Sequence, residues 1–117
     1  MAVCYCSLPP REVFSVIEKG LLTGPFLSTE LITSHVTRPQ NDVETVLGVF
    51  EKYSWRNSNR MSLTVLCTPY GKGGSEVFFA ASGAGKGMLG LFDWGAAEDF
   101  ENAVRASIEP YRISESE

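Results

Sequence analysis

Between Arg60 and Thr68 the side chains alternate. Met61, Leu63, Val65 and Cys67 interleave with Ser62, Thr64, Leu66 and Thr68. A period of two sends successive side chains to opposite faces of an extended strand. One face here is apolar and the other mostly hydroxyl, the pattern of a half-buried antiparallel strand. This alternation constrains the fold more than any other feature, because the apolar face must be covered by something else in the chain. The preceding segment, Val43 to Tyr53, reads as the other arm of a hairpin closed by the polar turn Trp55 to Asn59. Its apolar residues fall on both sides, with Val43, Leu47 and Val49 against Val46 and Phe50. The spacing therefore predicts either deeper cover of this arm or a shift of face through a bulge at Gly48.

Two amphipathic helices are available as cover. Val13, Phe14, Ile17 and Leu21 recur at helical spacing after Pro10, predicting a helix over 10–22 that Gly20 or Gly24 closes before Pro25. Ala97, Phe100, Val104 and Ile108 mark a second helix ending near Pro110. Glu98, Asp99 and Glu101 occupy its first turns, where the helix dipole favours acids, and read as a solvated face. Ala2 to Ser7 is a short strand, and Phe26 to Thr37 alternates poorly enough to be an edge strand. Pro69 to Gly74 reads as a turn, Glu76 to Ala81 as a strand, Ser82 to Gly87 as a glycine-rich loop and Met88 to Phe92 as a last short strand. Ile113 to Glu117 should fray. The order implies an α+β fold over 1–117 as one domain. It is a single antiparallel sheet of five or six strands with two helices packed on one face.

A chain of 117 residues can bury a core without staples. No window approaches the roughly 18 apolar residues of a membrane span. Met1 to Cys6 carries no basic region and no long apolar run, so the expected location is cytoplasmic. Cys4, Cys6 and Cys67 are odd in number and lack zinc-ligand spacing, so they read as reduced, partly buried thiols with no metal. Net charge is −4, but residues 52–92 hold Lys52, Arg56, Arg60, Lys72 and Lys86 against Glu76 alone. The acidic flanks argue against nucleic acid as a partner.

The loop Ser82-Gly83-Ala84-Gly85-Lys86-Gly87 has a superficial likeness to a phosphate-binding P-loop. Ala80 stands where that motif needs its first glycine, and Gly87 where it needs a Ser or Thr. A strand follows instead of a helix, so the helix N-terminus that would hold phosphate is missing. A weaker version is an anion nest of backbone N–H groups at Gly83 and Gly85 beside Lys86. In an up-and-down meander the 55–59 turn and the 83–87 turn share one end of the sheet, which gathers Arg56, Arg60 and Lys86 there. Arg38 and Lys72 fall at the opposite end. His35, the lone histidine, has no nucleophile or orienting acid placed beside it by spacing. Tyr53, Trp55, Tyr70 and Trp94 fall at strand ends, where amphipathic rings cap a core or line a pocket mouth.

Val49-Phe50-Glu51-Lys52-Tyr53-Ser54, Asn59-Arg60-Met61-Ser62-Leu63 and Ala81-Ser82-Gly83 resemble the pattern of an uncharacterised bacterial family, a domain of unknown function. The Cys-rich first strand and the Lys86 turn depart from that pattern. The resemblance implies a strand–helix–meander–helix order, which is similar in topology to the half-repeat of TATA-box-binding proteins, and it implies no activity. With no catalytic set assembled, the sequence points to a small non-enzymatic binding or protein-interaction domain that needs no cofactor. The alternative is an enzyme or binder of an anionic small molecule at the basic turn end. Its partner would be another protein or that anion, with no membrane involved, and a homodimer is one arrangement it allows.

Overall fold

Among the described residues, six antiparallel strands form one sheet, and two helices pack against one of its faces. A computed structural model describes residues 2–23, 29–38, 44–54, 59–83 and 94–116. The strands are β1 (Ala2–Cys6), β2 (Thr29–Thr37), β3 (Thr45–Ser54), β4 (Asn59–Tyr70), β5 (Gly74–Gly83) and β6 (Arg112–Ser116). The helices are α1 (Pro10–Thr23), between β1 and β2, and α2 (Trp94–Ile108), which leads through a 3-10 turn at Glu109–Tyr111 into β6. The spatial order is β2-β3-β4-β5-β1-β6. Consecutive strands β2 to β5 form the meander. The N-terminal strand then inserts beside β5, and the C-terminal strand beside β1.

The alternation that organises the sequence is realised in β4. Met61, Leu63, Val65 and Cys67 are buried, at 2% exposure or less. They share one core with Val46 and Phe50 of β3, Val77 and Phe79 of β5, and Cys4 and Cys6 of β1. The helices complete it with Val13, Phe14, Ile17 and Leu21 from α1 and Phe100, Val104 and Ile108 from α2. These are the residues whose helical spacing predicted an apolar stripe. α1 runs through Gly20 to Thr23, so Gly20 does not close it; Gly24 lies outside the described residues.

Gly48 is not a bulge. The β3–β4 register runs unbroken from Val46–Cys67 to Ser54–Asn59. A Cβ at Gly48 would collide with the ring of Phe14, so the glycine makes room for α1 to lie against the sheet. The bulge falls on the neighbouring β2, between Leu31 and Thr33. As expected of an edge, β2 is exposed along most of its length. Its bulge is one of the devices by which sheet edges resist further pairing.

Two other expectations need correction. Pro69 and Tyr70 belong to β4, opposite Ser75 and Gly74, not to a turn. The β3–β4 ladder ends at Val46–Cys67, so Pro69 lies past it and its missing N–H costs no bond on that side. The turn is the three residues Gly71 to Gly73, with both glycines at positive φ (62° and 79°). Residues 112–116 do not fray but pair with β1, Val3 opposite Ser116 and Tyr5 opposite Ser114. β6 thus adds to the sheet a strand that follows α2. The Met88–Phe92 strand expected from the sequence lies outside the described residues.

β6 is anchored by an ion pair. Arg105 of α2 donates from Nε to Glu115 Oε2 at 2.9 Å, and its guanidinium sits 5.2 Å from the ring centre of Phe79. Burial acts to raise the Glu115 pKa, but the Arg105 hydrogen bond and charge, the Cys4 thiol and the Arg112 charge together hold it below the usual range. A carboxyl depressed in the folded state stabilises above its unfolded pKa of about 4.3, and that contribution is lost as pH falls through the folded value. Amide hydrogen exchange should therefore show β6 opening ahead of β4 and β5 as pH falls below about 4. In Glu115→Gln the same amides should exchange fast already at neutral pH. Equal protection of β6 in that variant would dismiss the anchor.

Candidate interaction surface

The sheet has a second face, opposite the helices. Antiparallel register places cross-strand partners on the same side, so its composition can be followed row by row. Leu47 stands opposite Leu66, Leu66 opposite Phe78, and Phe78 opposite Val3. His35 of the edge strand extends this row beyond Leu47. The next row holds Thr33 and Val49, then Thr64 and Ala80. Leu47 is 39% exposed; Leu66, Phe78, Val3 and Val49 are half-buried. An apolar row thus crosses four adjacent strands, on the face opposite the two described helices.

The rim of this face is polar and aromatic. At one end Ser62 and Ser82 hydroxyls lie 3.0 Å apart. Beyond them Arg60 donates to Glu51 at 2.9 Å and stacks 5.9 Å from the Tyr53 ring. At the other end Tyr70 packs against Tyr5 with ring centres 4.5 Å apart. Tyr53 and Tyr70, at 41% and 50% exposure, do not cap the core; they border the open face. Trp94 begins α2 instead of ending a strand, and Trp55 lies outside the described residues.

The basic end of the sheet is partly visible. Ser54 pairs with Asn59 and Met61 with Gly83, so the 55–58 connection and the chain leaving β5 start from the same end, as the meander implies. Of the residues assigned to an anion site, Arg60 and Gly83 are brought to that end; Arg56, Gly85 and Lys86 lie outside the described residues. The Arg60 guanidinium is engaged by Glu51, an exposed pair with 65% and 34% side-chain exposure. Such pairs are weak, but this one places a carboxylate where an anion would dock. Arg38, at the opposite end, is bound to Glu44 at 2.8 Å, and Arg11 reaches the same carboxylate.

The three thiols lie in the core. Burial, with Glu115 next in weight, pushes Cys4 up to about 12. Burial also pushes Cys6 up to about 11 and raises Cys67. Protonated at neutral pH and buried, they pack as small apolar side chains and are poor nucleophiles. His35 is exposed on the edge strand. Among the described residues no three His, Cys, Asp or Glu side chains are grouped to hold a metal ion. No helix among the described residues is long and apolar enough to cross a membrane.

Sequence reasoning missed the apolar row of the open face. Leu66 was visible as the one aliphatic member of a hydroxyl face. Its neighbours Leu47, Phe78 and Val3 come from three other strands, and only the register shows that they are contiguous. Over residues 1–112 the chain matches the model of a family of unknown function, DUF6054, and it belongs to that family. No curated protein and no solved structure matches it.

Proposed function

We propose that this member of a family of unknown function is a small non-enzymatic protein-interaction domain, with the open face of its sheet as the docking surface. The observation that carries this reading is the row Leu47–Leu66–Phe78–Val3, contiguous across four strands on the face opposite the two described helices. An apolar patch of this extent, rimmed by hydroxyls and tyrosines, has the composition of an interface centre with a polar margin. On β1 to β5 the charged residues of that face are Glu30, Glu51, Glu76 and Arg60, three acids to one base. This balance favours protein over nucleic acid, whose phosphates need a basic surface. The likeness to the half-repeat of TATA-box-binding proteins expected from the sequence therefore lends no support to a DNA-binding role. The buried, unpaired thiols support a cytoplasmic setting, and the motif resemblance alone supports a bacterial one.

Native mass spectrometry of the tagged protein and its Leu47→Lys variant, each purified gently from its own cells, tests the reading. The wild type should carry a protein partner, either another chain or a second copy. The variant should lose it while keeping the same far-ultraviolet circular dichroism. A wild type that is strictly monomeric and brings no partner would count against the proposal.

A further inference from the structure

Resting on that reading, we infer that the occupant of the open face is a second copy of this chain, packed sheet to sheet about a two-fold axis. The first argument is area. Strands lie about 4.8 Å apart and rise about 3.3 Å per residue, so four strands of nine to twelve residues and two of five span about 800 Å² of flat surface. A stable dimer buries about 800 Å² on each partner. Two copies of this face would therefore suffice without any contribution from the helices.

The second argument is charge. Each chain carries a net charge of −4, so copies repel one another over most of their surface. The centre of the open face escapes this. Leu47, Leu66, Phe78, Val3, Val49 and Ala80 hold no charge, and the hydroxyl of Thr64 lies among them. Glu51 and Arg60 neutralise each other at the rim. The centre of the face carries no charge, so like-charge repulsion between two copies of it is confined to Glu30 and Glu76. A partner chosen by charge would instead require an uncompensated field there.

The third argument is closure. A two-fold contact uses the same patch on both chains and leaves neither copy with an exposed apolar face, so assembly stops at the dimer. Face-to-face packing keeps the two sheets about 10 Å apart, with side chains of both inner faces interdigitating. Leu47 and Phe78, from different strands of one row, are then the natural knobs. The hydroxyls of Ser62 and Ser82 lie toward the wetted margin.

Sedimentation equilibrium on the purified full chain tests the inference. The wild type should sediment with twice the chain mass at tens of micromolar. Thr64→Arg places a charge at the centre of the face, and Leu47→Lys places one on a residue already 39% exposed. Each should raise the dimer dissociation constant at least about 30-fold, as expected for charges in an interface centre, with the thermal melt confirming a folded monomer. Having two variants keeps the test intact if one fails to fold. A purified wild type that is monomeric at 200 µM, or a dimer that survives both substitutions, would overturn the inference. If the wild type is monomeric and Leu47→Lys abolishes capture of a different protein, self-association falls and the interaction-domain reading stands.

Discussion

Phe50→Ala should cost about 3–5 kcal/mol of folding stability, the range for removing a large aromatic from a packed core. Phe50 is fully buried at the centre of β3. It faces Leu63 across the β3–β4 ladder and Leu31 across the β2–β3 ladder. Its ring lies 5.9 Å from that of Phe14 on α1, tilted by 31°. The side chain therefore joins three strands and a helix, and truncation leaves a void that neither a rigid sheet nor a helix can close. Against a total stability of about 5–15 kcal/mol for a domain of this kind, the loss is a large fraction. Thermal denaturation followed by circular dichroism should show the midpoint falling by roughly 10–20 °C. A fall of under about 3 °C would mean that the site collapses around the missing ring, against the rigidity of packed cores.

Glu101→Ala is the second large effect, and sequence reading pointed away from it. Glu101 was expected on the solvated side of the last helix; it is 7% exposed, and its carboxylate accepts the backbone N–H of Ala81 at 2.9 Å. The β1–β5 ladder stops at Ala2–Phe79, so Ala81 lies past the end of β1 and its amide has no strand partner on that side. The carboxylate of α2 takes the place of the missing strand. Its removal leaves a partly buried donor unsatisfied and breaks a hydrogen bond to a charged group, together about 2–3 kcal/mol. Glu101→Gln, which keeps an acceptor oxygen but not the charge, should lose about half as much. Urea denaturation of the two variants checks the ranking. Equal stability of Glu101→Ala and wild type would dismiss the tie between α2 and β5.

The fold class could be read from the chain because its evidence is local. β4 buries the four residues its alternation nominated, and both helices bury the stripes their spacing nominated. The readings that failed depended on a neighbour. Pro69 reads as a turn residue, but it sits in β4 just beyond the reach of β3, where a missing N–H is harmless. A bulge at Gly48 is one of two readings of its arm, but the register is unbroken there and the glycine makes room for the ring of Phe14, 34 positions away in sequence. Ile113 to Glu117 reads as a frayed tail because nothing in its composition announces β1 as a partner, yet residues 112–116 pair with that strand. The candidate surface follows the same rule. Its apolar row draws one residue from each of four strands, and only Leu66, alone among hydroxyls, stands out within its own strand. The anion site expected from the basic middle of the chain retains Arg60 and Gly83 at one end of the sheet, with Arg60 held by Glu51.

Periodicity alone determined that this protein would be a sheet with apolar residues on one side and two helices to cover them, since side-chain direction along a strand or helix follows from backbone geometry within a few residues. Tertiary structure decided which strands are neighbours, where the sixth strand comes from and which residues of the opposite face join into one surface. Those are matters of register between segments distant in sequence, and register depends on the summed packing of the whole sheet, not on any one segment's pattern.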